Sequence, residues 1–187
     1  MSAPSGKVSP YPSGAWPTDT FLSDEKDLYF NGESIQILHQ PSATTDGDSV
    51  IYFRKSDVLS AGAIFNTDSY PVIDVDKGGS IEGEIAGLNT LVHMCIVAHE
   101  EEGGTLVIPG HGHLCDQAEV VEYRDLVTIV RDRIAAMIKK GMTLQQVLEA
   151  SPTRDYDPLY GHNSWWTPDM FVTAAYKSMT QKTSEKH

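Results

Sequence analysis

Short apolar runs open the chain and longer striped segments close it. Ser34, Ile35, Gln36, Ile37, Leu38 and His39 form one β-branched run, and Val50, Ile51, Tyr52 and Phe53 form a second. Pro41 and the turn-forming pair Asp46-Gly47 separate them, so both read as strands. Val58, Leu59, Ser60 and Ala61 suggest a third. Thr105, Leu106, Val107 and Ile108 form an unalternating run suited to a buried strand, and Pro109-Gly110-His111-Gly112 follows at once. A loop at the end of a buried strand is a common place for a site.

The striped segments predict helices. Ser80 is placed to cap a helix whose first turn carries Glu82 and Glu84, where carboxylates complement the helix dipole. Ile81, Ile85, Leu88, Val92, Cys95 and Ile96 would share its apolar face. A longer helix is expected from an Asp116 cap, with Glu119 in the capping-box position, to Lys140 and Gly141. Val120, Val127, Val130, Ile134, Met137 and Ile138 form its inward stripe. Thr143 and Gln146 repeat the capping-box pattern for a shorter helix. A last one begins at Thr167 and Pro168, with Met170, Phe171, Ala174, Ala175 and Met179 on its apolar side.

Strands, helix, strand, helices: this order predicts an α/β unit in which a small sheet is covered on one face by at least two helices. With 187 residues, the chain suits one domain. We expect a Pro-, Ser- and Gly-rich arm over residues 1–21, one domain over 22–180 and a frayed tail over 181–187. No internal repeat points to a solenoid.

Charge narrows the partners. Twenty-six acidic against 14 basic residues give a formal net charge of -12, with no Lys/Arg run, so nucleic acid and anionic membranes would be repelled. The first ten residues lack the apolar stretch of a secretory signal, and no run has the length of a membrane span, so a soluble, cytoplasmic protein is expected. Cys95 and Cys115 are the two cysteines, too few for a disulfide framework or a zinc pattern, and read as free thiols.

Several motifs dissolve on inspection. Asp74-Val75-Asp76 begins like a calcium loop, but Ile85 stands where the bidentate Glu belongs. His99-Glu100 lacks the second histidine of a metalloprotease helix, because Gly103 occupies its place. His39 and His93 have no nucleophile in a recognisable elbow, so no triad is indicated. Trp16, Trp165 and Trp166 lie in Pro- and Gly-flanked segments, where closing a core edge is the default for at least one of the last two.

Three segments carry a resemblance. Pro41-Ser42-Ala43-Thr44-Thr45-Asp46-Gly47-Asp48-Ser49 precedes a strand, Ser60-Ala61-Gly62-Ala63-Ile64-Phe65 follows one, and Ile108-Pro109-Gly110-His111-Gly112 ends another. In order and spacing they resemble the C-terminal half of the metallo-β-lactamase superfamily, from about residue 15 to about residue 180. The resemblance implies half of an αβ/βα sandwich. It also implies zinc ligands at three positions: a histidine where Thr44 stands, a bridging aspartate where Ala63 stands, and His111. The H-x-H-x-D-H motif of the family's first half has no counterpart here.

Zinc takes histidine nitrogen, thiolate or carboxylate in sets of three or four. Thr44 offers a neutral hydroxyl and Ala63 offers nothing, so His111 would be a remnant ligand. Hydrolysis by this chain alone is therefore not expected, no catalytic residue is assigned, and no cofactor is expected unless a partner completes a zinc site. Asp46 and Asp48 are candidate members of a site loop, although Asp-Gly before a strand is also ordinary turn chemistry. His113 is two residues from His111, with Cys115 and Asp116 nearby. That spacing can chelate zinc or nickel, or be a solvent-exposed histidine pair.

A lone half sandwich leaves one sheet face open, and large apolar faces usually mark interfaces. Two expectations follow. The first is a catalytically silent protein that self-associates through that face about a two-fold axis. The alternative is a zinc-dependent ester, lactam or thioester hydrolase completed by a complementary half.

Overall fold

The computed structural model describes residues 11–16, 18–97 and 103–184. Five strands run β1 Glu25–Phe30, β2 Glu33–Gln40, β3 Asp48–Phe53, β4 Val58–Asn66 and β5 Leu106–His111. They lie side by side in that order; β1 to β4 form an antiparallel meander, and β5 joins β4 in parallel. A parallel neighbour needs a crossover. Helix α1, Ile81–Met94, supplies it.

The remaining helices are α2 Gln117–Lys139, α3 Leu144–Glu149, α4 Asp157–Tyr160 and α5 Pro168–Ser184. Helices α1, α2 and α5 pack on one another. The small mixed sheet with helices on one face is thus the architecture that the pattern predicts.

Sheet register decides which residues meet the helices. Val50, Leu59, Ala61 and Val107 point inward and are fully buried. They join Ile81, Leu88 and Leu91 of α1, Val120, Val127, Val130 and Ile134 of α2, and Phe171 and Ala175 of α5 in one core. Aromatic rings close its lower end. Tyr70 stacks on Phe171 with centroids 4.9 Å apart, and Tyr123 meets Phe65 edge-on at 5.2 Å. Their buried hydroxyls are satisfied, Tyr123 donating to the Ser69 carbonyl at 2.9 Å and Tyr70 to the Asp157 carboxylate at 2.9 Å. Trp166 closes the edge, donating from Nε1 to the Pro71 carbonyl, while Trp165 is exposed.

Most helix ends fall where the caps predict. Ser80 Oγ accepts from Gly83 N, Asp116 accepts from Ala118 N and Glu119 N, and Thr143 forms a full capping box with Gln146. Five details differ. Cys95 is the C-cap of α1, so Ile96 lies beyond the helix and is exposed. Glu119 does not turn back to the Asp116 backbone; its carboxylate goes to His113. Met170 is 43% exposed, because Phe171 and Val172 take the inward positions of α5. That helix continues through 181–184, where a frayed tail was expected. Strand β1 was not foreseen, since its sequence EKDLYF has no buried stripe. The segment at His99 lies outside the described residues.

Candidate functional site

Thr44 and Asp46 lie on the loop joining β2 to β3, with Asp48 at the start of β3, and this loop is pressed onto the N-terminal end of α1. Ser80 N donates to the Ser42 and Ala43 carbonyls, Asp74 N to the Thr44 carbonyl, and Asp46 N to the Lys77 carbonyl. The approach is so close that a Cβ on Gly79 would stand 2.1 Å from the Thr44 carbonyl oxygen. Only glycine permits it.

The two aspartates do turn work within this loop. Asp48 Oδ2 accepts from Thr45 N at 2.5 Å and from Thr45 Oγ1 at 3.2 Å. The Asp46 carbonyl meets His39 Nε2 at 2.7 Å. Thr44 itself is buried, and its hydroxyl has no hydrogen-bond partner among the described residues.

Ala63 sits in β4 just after Gly62, where the pairing with β5 shifts register, and its methyl is exposed. His111 ends β5, opposite Asn66, and is also exposed. Thr67 N donates to the His111 carbonyl at 3.1 Å, which fixes the strand end.

The fit to a family-type zinc centre can be judged from these donors. One imidazole, one buried neutral hydroxyl and one methyl do not make a ligand set. The residues at Thr44, Ala63 and His111 therefore do not fit the metal, and no catalytic step is derived through it.

The first turn of α1 holds a carboxyl whose position suits a helix-dipole partner. Glu84 is fully buried, and neither of its oxygens has a hydrogen-bond partner among the described residues. Burial pushes its pKa well above the usual carboxylate range, and the charge of Asp48 adds to the shift. No sequence signal beyond its place in the first turn of α1 marks it.

A second cluster forms where β5 turns into α2. His113, Cys115 and Glu119 place their ligand-type atoms within 4.8 Å of one another. His113 Nε2 meets Glu119 Oε1 at 2.7 Å, and the Cys115 thiol donates to the His113 carbonyl at 3.2 Å. Burial, with the Glu119 carboxylate beside it, pushes the Cys115 thiol up to about 12. Cys95, also free, is pushed up to about 11 by burial first and by Asp57 second. Both thiols are held protonated, so neither is an activated nucleophile.

No protein-family model and no curated protein sequence matches the chain. Among solved structures, the chain is similar to the stereoselective inverting sec-alkylsulfatase Pisa1 from a Pseudomonas species. That match has a TM-score of 0.63 at 11% identity, and covers 87% of this chain and 26% of that one. A double mutant of the same enzyme matches with a TM-score of 0.64. The metallo-β-lactamase from Pontibacter korlensis matches over 60% of this chain and 49% of its own, with a TM-score of 0.47 and 16% identity.

The chain shares its fold with part of the sec-alkylsulfatase structure. At these identities the likeness concerns the fold, since function belongs to the site. The chain spans about a quarter of the alkylsulfatase's length and about half of that metallo-β-lactamase's. Among the described residues no helix is long and apolar enough to cross a membrane.

Proposed function

We propose that this partial metallo-β-lactamase-type domain is catalytically silent by itself and associates with a second copy through the outer face of its sheet. The observation that carries the reading is a pair of cross-strand rows on the face turned away from the helices. Leu28, Ile35, Phe53, Val58 and Leu106 stand opposite one another in register across all five strands. The next row is Lys26, Ile37, Ile51, Ser60 and Ile108.

None of these ten belongs to the buried core. Leu106 is 40% exposed, Ile108 38% and Leu28 37%. Two sheets packed face to face, roughly 10 Å apart, would interdigitate such rows.

Charge favours a second copy over an unlike partner. Although the chain carries a net charge of -12, Lys26 is the one charged residue in these two rows. It is held by Asp19 at 2.5 Å and lies over the Phe21 ring. The acidic side chains Glu82, Glu119, Glu122, Asp125 and Asp132 sit on α1 and α2, which cover the opposite face. The centre of the outer face is therefore apolar, with Glu33 beside Phe30 at its end, so two such faces can meet about a two-fold axis with few charges to bury.

Silence by itself follows from the donor set at Thr44, Ala63 and His111. The test pairs light scattering with hydrolysis of ester, lactam and thioester substrates, with and without added zinc. The reading expects dimers and no zinc-dependent turnover. Monomers at all concentrations would remove the association. Turnover abolished by a chelator would instead support a hydrolase whose ligands come from the partner copy.

A further inference from the structure

The corner between β5 and α2 has no part in that reading, yet it is built like a ligand set. We propose that His113 Nε2, Cys115 Sγ and Glu119 Oε1 bind one zinc-class divalent cation, distinct from the positions of Thr44, Ala63 and His111. Imidazole nitrogen, thiolate and carboxylate oxygen are the three donor types that zinc accepts, and three protein ligands leave a fourth, water-accessible position. Mutual distances within 4.8 Å suit it. Tetrahedral zinc separates such donors by roughly 3.3 to 3.6 Å. The His113–Glu119 contact of 2.7 Å must open slightly, and the Cys115 thiol must swing in and give up its proton to solvent as the cation binds, so that the metal takes the thiolate.

The backbone around these ligands is already fixed. Cys115 is paired with Val107 through N–H···O bonds of 2.8 and 2.9 Å, which anchors it to the edge of β5. Asp116 caps α2 and so sets the direction in which Glu119, in its first turn, projects. His113 N donates to Thr67 Oγ1 at 3.2 Å. Gly112, at φ +106°, lies so close that a Cβ would fall 1.8 Å from that same oxygen.

Thr67 has a further role. Its hydroxyl meets His113 Nδ1 at 3.2 Å, so the ring is oriented with Nε2 toward Glu119. A hydrogen bond on the other ring nitrogen is the usual companion of a metal-binding histidine. His113 and Glu119 are exposed enough for a cation to enter, while Cys115 is buried behind them.

The experiment uses the full chain, reduced, stripped with a chelator and titrated with zinc or with cobalt(II) as a spectroscopic probe. One metal per chain is expected, with a thiolate-to-cobalt charge-transfer band. His113→Ala and Glu119→Gln should each weaken binding at least about tenfold, Thr67→Val should weaken it by roughly tenfold, and His111→Ala should leave it unchanged. Cys115→Ser should abolish the charge-transfer band. Because Cys115 is buried, that variant is judged beside the other two, whose side chains are partly exposed. Absence of binding at micromolar free zinc would overturn the proposal. So would a stoichiometry that survives both His113→Ala and Glu119→Gln, or one that His111→Ala removes.

Discussion

The two faces of the sheet are nearly equal in apolar content and very unequal in use. Along β3 and β4, Val50, Tyr52, Leu59 and Ala61 face the helices, and Ile51, Phe53, Val58 and Ser60 alternate with them on the other side. The inward set is fully buried apart from Tyr52, which packs against the core. The outward set is half-buried by its neighbours alone. A strand apolar on both sides belongs between two layers. The described residues supply one layer, and the proposed self-association rests on that difference.

The largest expected effect lies on the inner face. Leu59→Ala should cost about 2 to 5 kcal/mol of folding stability, read from urea unfolding, because it opens a cavity in a core with no exposed edge there. Ile51→Glu, one register away on β3, should behave oppositely: cooperative unfolding persists, and the dimer weakens by about 100-fold or more, since the carboxylate would be buried against its own copy. If Ile51→Glu unfolds the monomer as severely as Leu59→Ala does, the two faces are not different in kind.

Smaller effects probe the buried polar groups. Glu84 has its folded-state pKa raised above 4.5 by burial first and Asp48 second. The folded protein therefore keeps this proton where the unfolded chain releases it. Stability from this group is fully present below that value and is lost as pH rises toward the folded pKa, by on the order of 1 kcal/mol per pH unit. Glu84→Gln should flatten that slope in urea unfolding measured between pH of about 5 and about 7. The smallest change is at Thr44, where Val should be neutral or stabilising by up to about 1 kcal/mol, because it removes a buried hydroxyl that bonds to nothing described. A loss of more than that would show that the hydroxyl has a partner.

Much of the inner architecture was legible because its signals are local. The caps at Ser80, Asp116 and Thr143 are short-range hydrogen bonds, and the α2 stripe repeats at helical spacing. The outer rows were not legible. Ile35, Phe53, Val58 and Leu106 fall into one row only through register, and Leu28 belongs to a strand whose sequence has no burial pattern. The corner site was half visible. His113 and Cys115 stood out, but Glu119 fitted a capping box, and only the turn at Gly112 shows that it reaches His113 while Asp116 caps alone. Glu84 had no signal as a buried carboxyl, because its position in a first turn is ordinary for an exposed acid.

The association through the outer face is tested most directly by sedimentation velocity of the wild-type chain and Ile51→Glu over a wide concentration range. The account predicts a reversible wild-type dimer and a folded Ile51→Glu monomer. A wild-type chain that stays monomeric throughout, or a dimer that Ile51→Glu leaves intact, would contradict it.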